Sequence, residues 1–233
     1  MNMKRIITLS IISLFLVAGT FAQEKNQSKH KQIRKTGSFY KVKASKGINV
    51  TLIEGEKEQA EVTIVNGSTD DVITELKNKT LTVKMKTKIY KDVAVQVYVT
   101  YVTLREVKAG SGATIDAENT ITADKLLIDG GTDSEINLDI DVNVLEASVS
   151  AGRMEISGKT ESQVVKANTG GKFLAYALKS DDTIAKANTG GRVEVTVTKS
   201  IKATASNGGT VNFKGNPEKI EKKTSLGGKV NQE

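Results

Sequence analysis

Apolar residues recur at every second position through much of this chain, and helical spacing is scarce. Ile48-x-Val50-x-Leu52, Val62-x-Ile64, Leu81-x-Val83-x-Met85 and Val93-x-Val95-x-Val97-x-Val99 each place apolar side chains on one face of an extended segment. Residues 37–105 are therefore predicted as half-buried strands, with Asn66-Gly67-Ser68 and Lys77-Asn78-Lys79 as turns between them. Residues 23–36 are polar, show no period and read as a flexible leader.

From about residue 107 the pattern becomes a repeat, clearest in Ala167-Asn168-Thr169-Gly170-Gly171, Ala187-Asn188-Thr189-Gly190-Gly191, Ala205-Ser206-Asn207-Gly208-Gly209 and Thr224-Ser225-Leu226-Gly227-Gly228. The second glycines lie 20, 18 and 19 residues apart; one step back from Gly171 reaches Gly152, and weaker steps reach Asp133-Ser134 and Ser111-Gly112. Periods of this size signify stacked units. Two places after the second glycine stand Met154, Phe173, Val193, Val211 and Val230; four places before it stand Ser148, Ala167, Ala187, Ala205 and Thr224. Both sets are predicted to point inward, a larger apolar layer on one wall facing a small-residue layer on the other. The glycine pair is predicted where the chain needs φ > 0 or close backbone approach. Together these features predict an all-β protein, a parallel β-solenoid of six or seven rungs over residues 107–231. The strands of 37–105 would cap it and lead into it, making one domain over residues 37–233.

Stacked rungs turn sequence columns into physical ladders spaced by about 4.8 Å. Asn168, Asn188, Ser206 and Ser225 form one such column, expected to satisfy turn backbone groups and one another. Two more point outward on either side of the glycine corner: Arg153, Lys172, Arg192, Thr210 and Lys229, and Lys166, Lys186, Thr204 and Lys223. Like charges at rung spacing repel by about 0.8 kcal/mol per pair even in water. Two readings stand: a lysine edge that keeps the stack soluble, or an anion-binding stripe made of Arg153, Lys166, Lys172, Lys186 and Arg192. The second would suit acidic glycans, lipopolysaccharide phosphates or an acidic patch on an envelope protein.

Lys4 and Arg5, the apolar run over residues 6–19, and Thr20-Phe21-Ala22 before Gln23 form a signal peptide over residues 1–22. The run is shorter than the roughly 20 residues that span a bilayer, so a transmembrane anchor is not expected. Export to the periplasm, the outer cell surface or the medium follows. The absence of cysteine then means stability without disulfides. Cleavage lowers the net charge from +7 to +5, and export argues against nucleic acid as partner. Homo-oligomerisation stays open. His30 is the single histidine and lies in the leader, so neither histidine catalysis nor a histidine metal cluster is expected, and no cofactor is implied. Between residues 109 and 150, nine carboxylates (Asp116, Glu118, Asp124, Asp129, Asp133, Glu135, Asp139, Asp141 and Glu146) face Lys125 alone. This belt reads first as solvated surface. Asp133, Asp139 and Asp141 are candidates for a weak cation site, and the belt carries the alternative of a polysaccharide-active enzyme, a lyase or glycosidase.

Tyr98-Val99-Thr100-Tyr101-Val102-Thr103-Leu104 leading into Val107-Lys108-Ala109-Gly110-Ser111-Gly112, the Ala-Asn-Thr-Gly-Gly rungs, and Gly215-Asn216-Pro217 followed by Ser225-Leu226-Gly227-Gly228-Lys229-Val230 carry a resemblance. The chain resembles the auto-transporter adhesin head GIN domain (DUF2807) family over residues 37–231. The resemblance implies a right-handed parallel β-helix on exported proteins of Bacteroidota, a non-catalytic adhesive or structural role, and no catalytic residues.

Overall fold

The computed structural model describes residues 28–233, so the signal peptide expected over residues 1–22 lies outside the described residues. The N-terminal strands are β1 (Lys29–Lys35), β2 (Lys41–Ser45), β3 (Asn49–Glu54), β4 (Gln59–Val65), β5 (Val72–Lys77), β6 (Thr80–Met85) and β7 (Ala94–Tyr101). The repeat follows with β8 (Glu106–Gly110), β9 (Thr114–Ala117), β10 (Ile121–Gly130), β11 (Glu135–Ser150), β12 (Arg153–Asn168), β13 (Lys172–Asn188), β14 (Arg192–Ser206), β15 (Thr210–Lys214), β16 (Lys219–Thr224) and β17 (Lys229–Gln232). Among the described residues the only helix is the single 3₁₀ turn Thr69–Asp71.

The protein is a parallel β-solenoid of about seven turns. Its long strands β11 to β14 each serve two walls: the first half, after the glycine corner, forms the front wall, and the second half forms the back wall. Inward positions stack in register. On the front wall Ile115, Ile136, Met154, Phe173, Val193 and Val211 form one column, all fully buried. On the back wall Val149, Ala167, Ala187 and Ala205 form the small-residue column opposite. The register departs from expectation at Ser148, which pairs with Lys166 and points outward while Val149 takes the inward place. Its corner, Ser150-Ala151-Gly152, is one residue shorter than Asn168-Thr169-Gly170-Gly171, so positions counted back across it shift by one.

The corner explains the glycine pair. At each full corner two successive residues have positive φ, as at Thr169 (51°) and Gly170 (74°), and Asn168 carbonyl accepts from Gly171 N–H at 2.8 Å. This is a type I′ turn. The first glycine meets this backbone demand in open space. The second does something else: its φ is ordinary, but a Cβ on Gly191 would lie 2.2 Å from Ala167 carbonyl oxygen, and one on Gly209 would lie 2.4 Å from that of Ala187. Successive corners are also bonded to each other, Gly170 N–H to Thr189 carbonyl at 3.0 Å and Gly190 N–H to Asn207 carbonyl at 3.1 Å.

The N-terminal strands are more than a cap, which corrects the expected boundary at residue 107. β2 and β3 form a layer of the solenoid themselves, inserted parallel between β8–β9 on one side and β6–β7 on the other. Lys46 and Gly47 form its corner with φ of 63° and 64°, and Gly47 N–H bonds Ser111 carbonyl at 2.9 Å. Only β1, β4 and β5 run antiparallel at this end, β1 on β4, β4 on β7 and β5 on β6. The leader is likewise corrected, because residues 29–35 of it are strand β1. That strand is nearly all exposed and so shows no hydrophobic period. It is held by the backbone ladder and by Arg34, whose guanidinium donates to the carbonyls of Val72 (2.6 Å) and Thr69 (2.7 Å).

The two glycines of a corner should respond differently to alanine. Gly190→Ala places a Cβ in open space at positive φ and should cost about 1 kcal/mol. Gly191→Ala drives a Cβ into a backbone carbonyl and should cost more, about 2–4 kcal/mol. Urea unfolding of the two variants measures the order, and equal losses would contradict the division of roles.

Candidate binding walls

The two walls turn different chemistry outward. On the front wall Glu135, Arg153, Lys172, Arg192, Thr210 and Lys229 follow one another in adjacent rungs. Arg153 and Arg192 are exposed and each pairs with the glutamate two residues on, Glu155 and Glu194, which alternation puts on the same face. Lys172 is exposed and forms no ion pair among the described residues. The front column is thus an Arg–Lys–Arg ladder whose two guanidinium groups are steadied by neighbouring carboxylates, a partner that the count of cations alone did not reveal.

On the back wall Lys108, Asp129, Ser148, Lys166, Lys186, Thr204 and Lys223 share one outward column. Lys166 and Lys186 are adjacent, exposed and without an ion-pair partner among the described residues. The five cations singled out from the sequence therefore fall on two walls, flanking the corner. Beside the lysines the structure shows what the sequence reading missed: an outward column containing Leu127, Val164 and Ile184, with Leu127 36% and Ile184 38% exposed. Two shallow grooves of about 250 and 580 Å³ run along this wall and share Val164. Alternating apolar residues gave the strand away, but an outward apolar residue shows itself only once the register is known.

The acidic belt does not gather into one site. Asp133 lies in a turn with φ of 53°. Asp139 accepts hydroxyl hydrogen bonds from Thr120 at 2.6 Å and Ser157 at 2.7 Å, and Asp141 pairs with Lys159 at 3.1 Å. Elsewhere Asn137 donates to Asp116 and Asn143 to Asp124, while Lys125 pairs with Glu146. Among the described residues, no group of three or more His, Cys, Asp or Glu side chains is placed to hold a metal ion. The corner amides act structurally: Ser206 and Asn207 both donate to Asn188 Oδ1, at 3.0 and 2.8 Å.

A family model described as DUF2807, "Putative auto-transporter adhesin, head GIN domain", matches residues 38–217. The chain belongs to this family. Solved structures share the DUF2807 architecture at low identity. A "putative adhesin" from Bacteroides fragilis superposes with a TM-score of 0.80 at 17% identity, covering 88% of this chain and 97% of its own. Another "putative adhesin", from Parabacteroides distasonis, gives 0.71 at 16%, covering 88% and 97%. A "putative lipid binding protein" from the same species gives 0.67 at 16%, covering 88% and 96%. No curated protein matches the chain significantly. At these identities the likeness establishes the fold.

Because Asp139 and Asp141 are already engaged by neighbouring rungs, adding millimolar calcium should leave the melting temperature of this DUF2807 protein unchanged. A calcium-dependent rise that Asp139→Asn removes would show that the belt does assemble around a cation.

Proposed function

We propose that this family member is an exported, non-catalytic binding module of the cell envelope that holds an acidic partner against its front wall. The observation that carries the reading is the exposed ladder Arg153, Lys172 and Arg192 on three adjacent rungs. The stacked sheet fixes the Cα atoms of the three residues at rung spacing, which removes the backbone part of the ordering cost of binding a repeating anion. Arginine adds a planar fork suited to carboxylate, sulfate and phosphate. An acidic glycan or an acidic patch of an envelope protein has the matching chemistry. Export rests on the basic, apolar and small-residue pattern of residues 1–22, and the adhesin family supports a place at the cell surface. The comparisons give no support to the polysaccharide-active alternative, and the belt's carboxylates are dispersed among partners on neighbouring rungs.

Binding to polygalacturonate, with dextran as the neutral control, tests the proposal. Affinity should fall as salt rises, because exposed charges are screened over about 8 Å at physiological ionic strength. Replacing Arg153, Lys172 and Arg192 together by glutamine should weaken binding by about tenfold or more. The pair Lys166→Gln and Lys186→Gln, on the other wall, should bind as the parent does. Equal binding by the parent and the front-wall triple variant at low salt would mean that this ladder is a solubilising surface.

A further inference from the structure

Two rungs on the outward face of the back wall carry opposite charges on either side of an apolar residue. Ile184 stands between Asp182 and Lys186 on one strand, and Leu127 stands between Lys125 and Asp129 on another. Alternation puts each trio on a single face, with the charges about 7 Å to either side of the apolar residue. The charges within the central column are neutralised inside the chain. Lys125 pairs with Glu146 at 2.5 Å, Lys202 with Glu221 at 3.1 Å, and Lys41 and Lys108 with Glu106 at 2.7 and 2.9 Å. Partial burial pushes the Glu106 carboxyl up, but its two lysine hydrogen bonds outweigh this and hold it below the ordinary range. The flanking charges differ. Asp129 and Lys186 form no ion pair among the described residues, and Asp182 accepts a hydrogen bond from the Ser200 hydroxyl at 2.5 Å without pairing to a cation.

We propose that two copies of this chain pack back wall to back wall about a two-fold axis parallel to the solenoid axis, lying over the column of Leu127, Val164 and Ile184. Rotation about such an axis keeps every rung at its own height and exchanges left with right. Ile184, Val164 and Leu127 then meet their own counterparts. Asp182 meets Lys186 of the second copy, and Lys186 meets its Asp182. Lys125, already beside Glu146, meets Asp129 of the second copy. An isologous interface requires that each contact occur twice in this reciprocal way, and on the rungs of Leu127 and Ile184 opposite charges placed symmetrically about an apolar residue supply it, while on the last rung Lys219 meets Lys223 of the second copy, which Glu221 pairs within the chain. The other members of the column, Lys41, Glu106, Glu146, Lys202 and Glu221, face their own copies only with their ion-pair partners in the chain attached. About seven turns at 4.8 Å and strands of about six residues make a wall of roughly 30 by 20 Å, burying about 1,200 Å² over both copies. That is the lower end of the range for a specific interface, so association in the micromolar range is expected. The pairing uses the back wall and leaves the front-wall ladder free, so it does not depend on the proposed function.

Sedimentation velocity of the purified protein up to about 0.1 mM reads the association directly. The parent should form a dimer. Asp182→Lys and Lys186→Asp, each alone, set like charges face to face and should weaken the dimer by about tenfold or more. The double variant carrying both substitutions exchanges the signs and should recover most of the affinity, as should an equimolar mixture of the two single variants. Ile184→Glu should leave monomer. Circular dichroism of every variant checks that the solenoid persists, as expected for outward positions. A parent that stays monomeric throughout, or a folded double variant that fails to recover, would overturn the proposal. Loss of polygalacturonate binding with the dimer intact would bear only on the front wall.

Discussion

Each turn of the solenoid must bring its backbone within hydrogen-bonding reach of the previous turn while reversing direction at a sharp corner, and that approach leaves no room for a side chain. The second glycine of each pair sits where a Cβ would overlap the preceding turn's carbonyl, so the spacing between turns depends on it. Once the corners are set, the parallel ladders on both walls run in register. Inward residues then stack into continuous columns, and beside the corner a large column on the front faces a small one on the back. Chain stability in such a structure is close to a sum of neighbour terms, so a defect at one corner acts on the two turns that share it.

The same register that buries the core multiplies any outward charge, because a cation on one rung is followed by whatever the next rung carries at about 4.8 Å. The front wall offsets this with glutamates two residues along the strand from Arg153 and Arg192. The back wall offsets it both along a strand and across rungs, where Lys223, two residues on, and Lys202, one rung away, reach Glu221 and hold its carboxyl below the ordinary range. Repulsion along a column is therefore relieved by nearby carboxylates, and three cations without an ion pair among the described residues, Lys166, Lys172 and Lys186, lie on either side of the corner between the walls.

How much of this was legible in the sequence depended on how regular each segment is. Between Gly152 and Gly228 the glycines gave the register, and with it the outward direction of Lys172, Lys186 and Arg192 and the burial of Val193 and Val211. The counting slipped at Ser148, where a corner lacks one residue, and on the last rung Thr224, expected inward, is exposed and Val230 only half-buried. Before residue 107 the alternation revealed strands but not partners, since period-two patterning is the same for parallel and antiparallel neighbours. Lys46-Gly47 before Ile48 was the one local sign that β2 and β3 turn a corner like those of the repeat. Strand β1 left no pattern at all, because exposed backbone pairing, Arg34 and the Lys31–Glu61 ion pair hold it. The glutamates that steady the front ladder and the outward Leu127, Val164 and Ile184 on the back wall were present in the sequence, but only the register shows which side chains adjoin.

The insertion of β2 and β3 between two later layers has a consequence for how the chain acquires its structure. In the regular turns a strand's neighbours lie about one repeat away, as with Ala167 and Ala187, but Val42 pairs with Val107 and Leu81. Contacts so distant in sequence slow folding, because a large loop must close before they form. A chain presented from its N-terminus exposes the β2–β3 layer, with both edges unpaired, until β6 to β9 have arrived. The residues after 121 can meanwhile stack turn upon turn by local contacts. The repetitive half is thus the natural template, and the N-terminal half is completed by fitting an early segment into a gap that only later segments create.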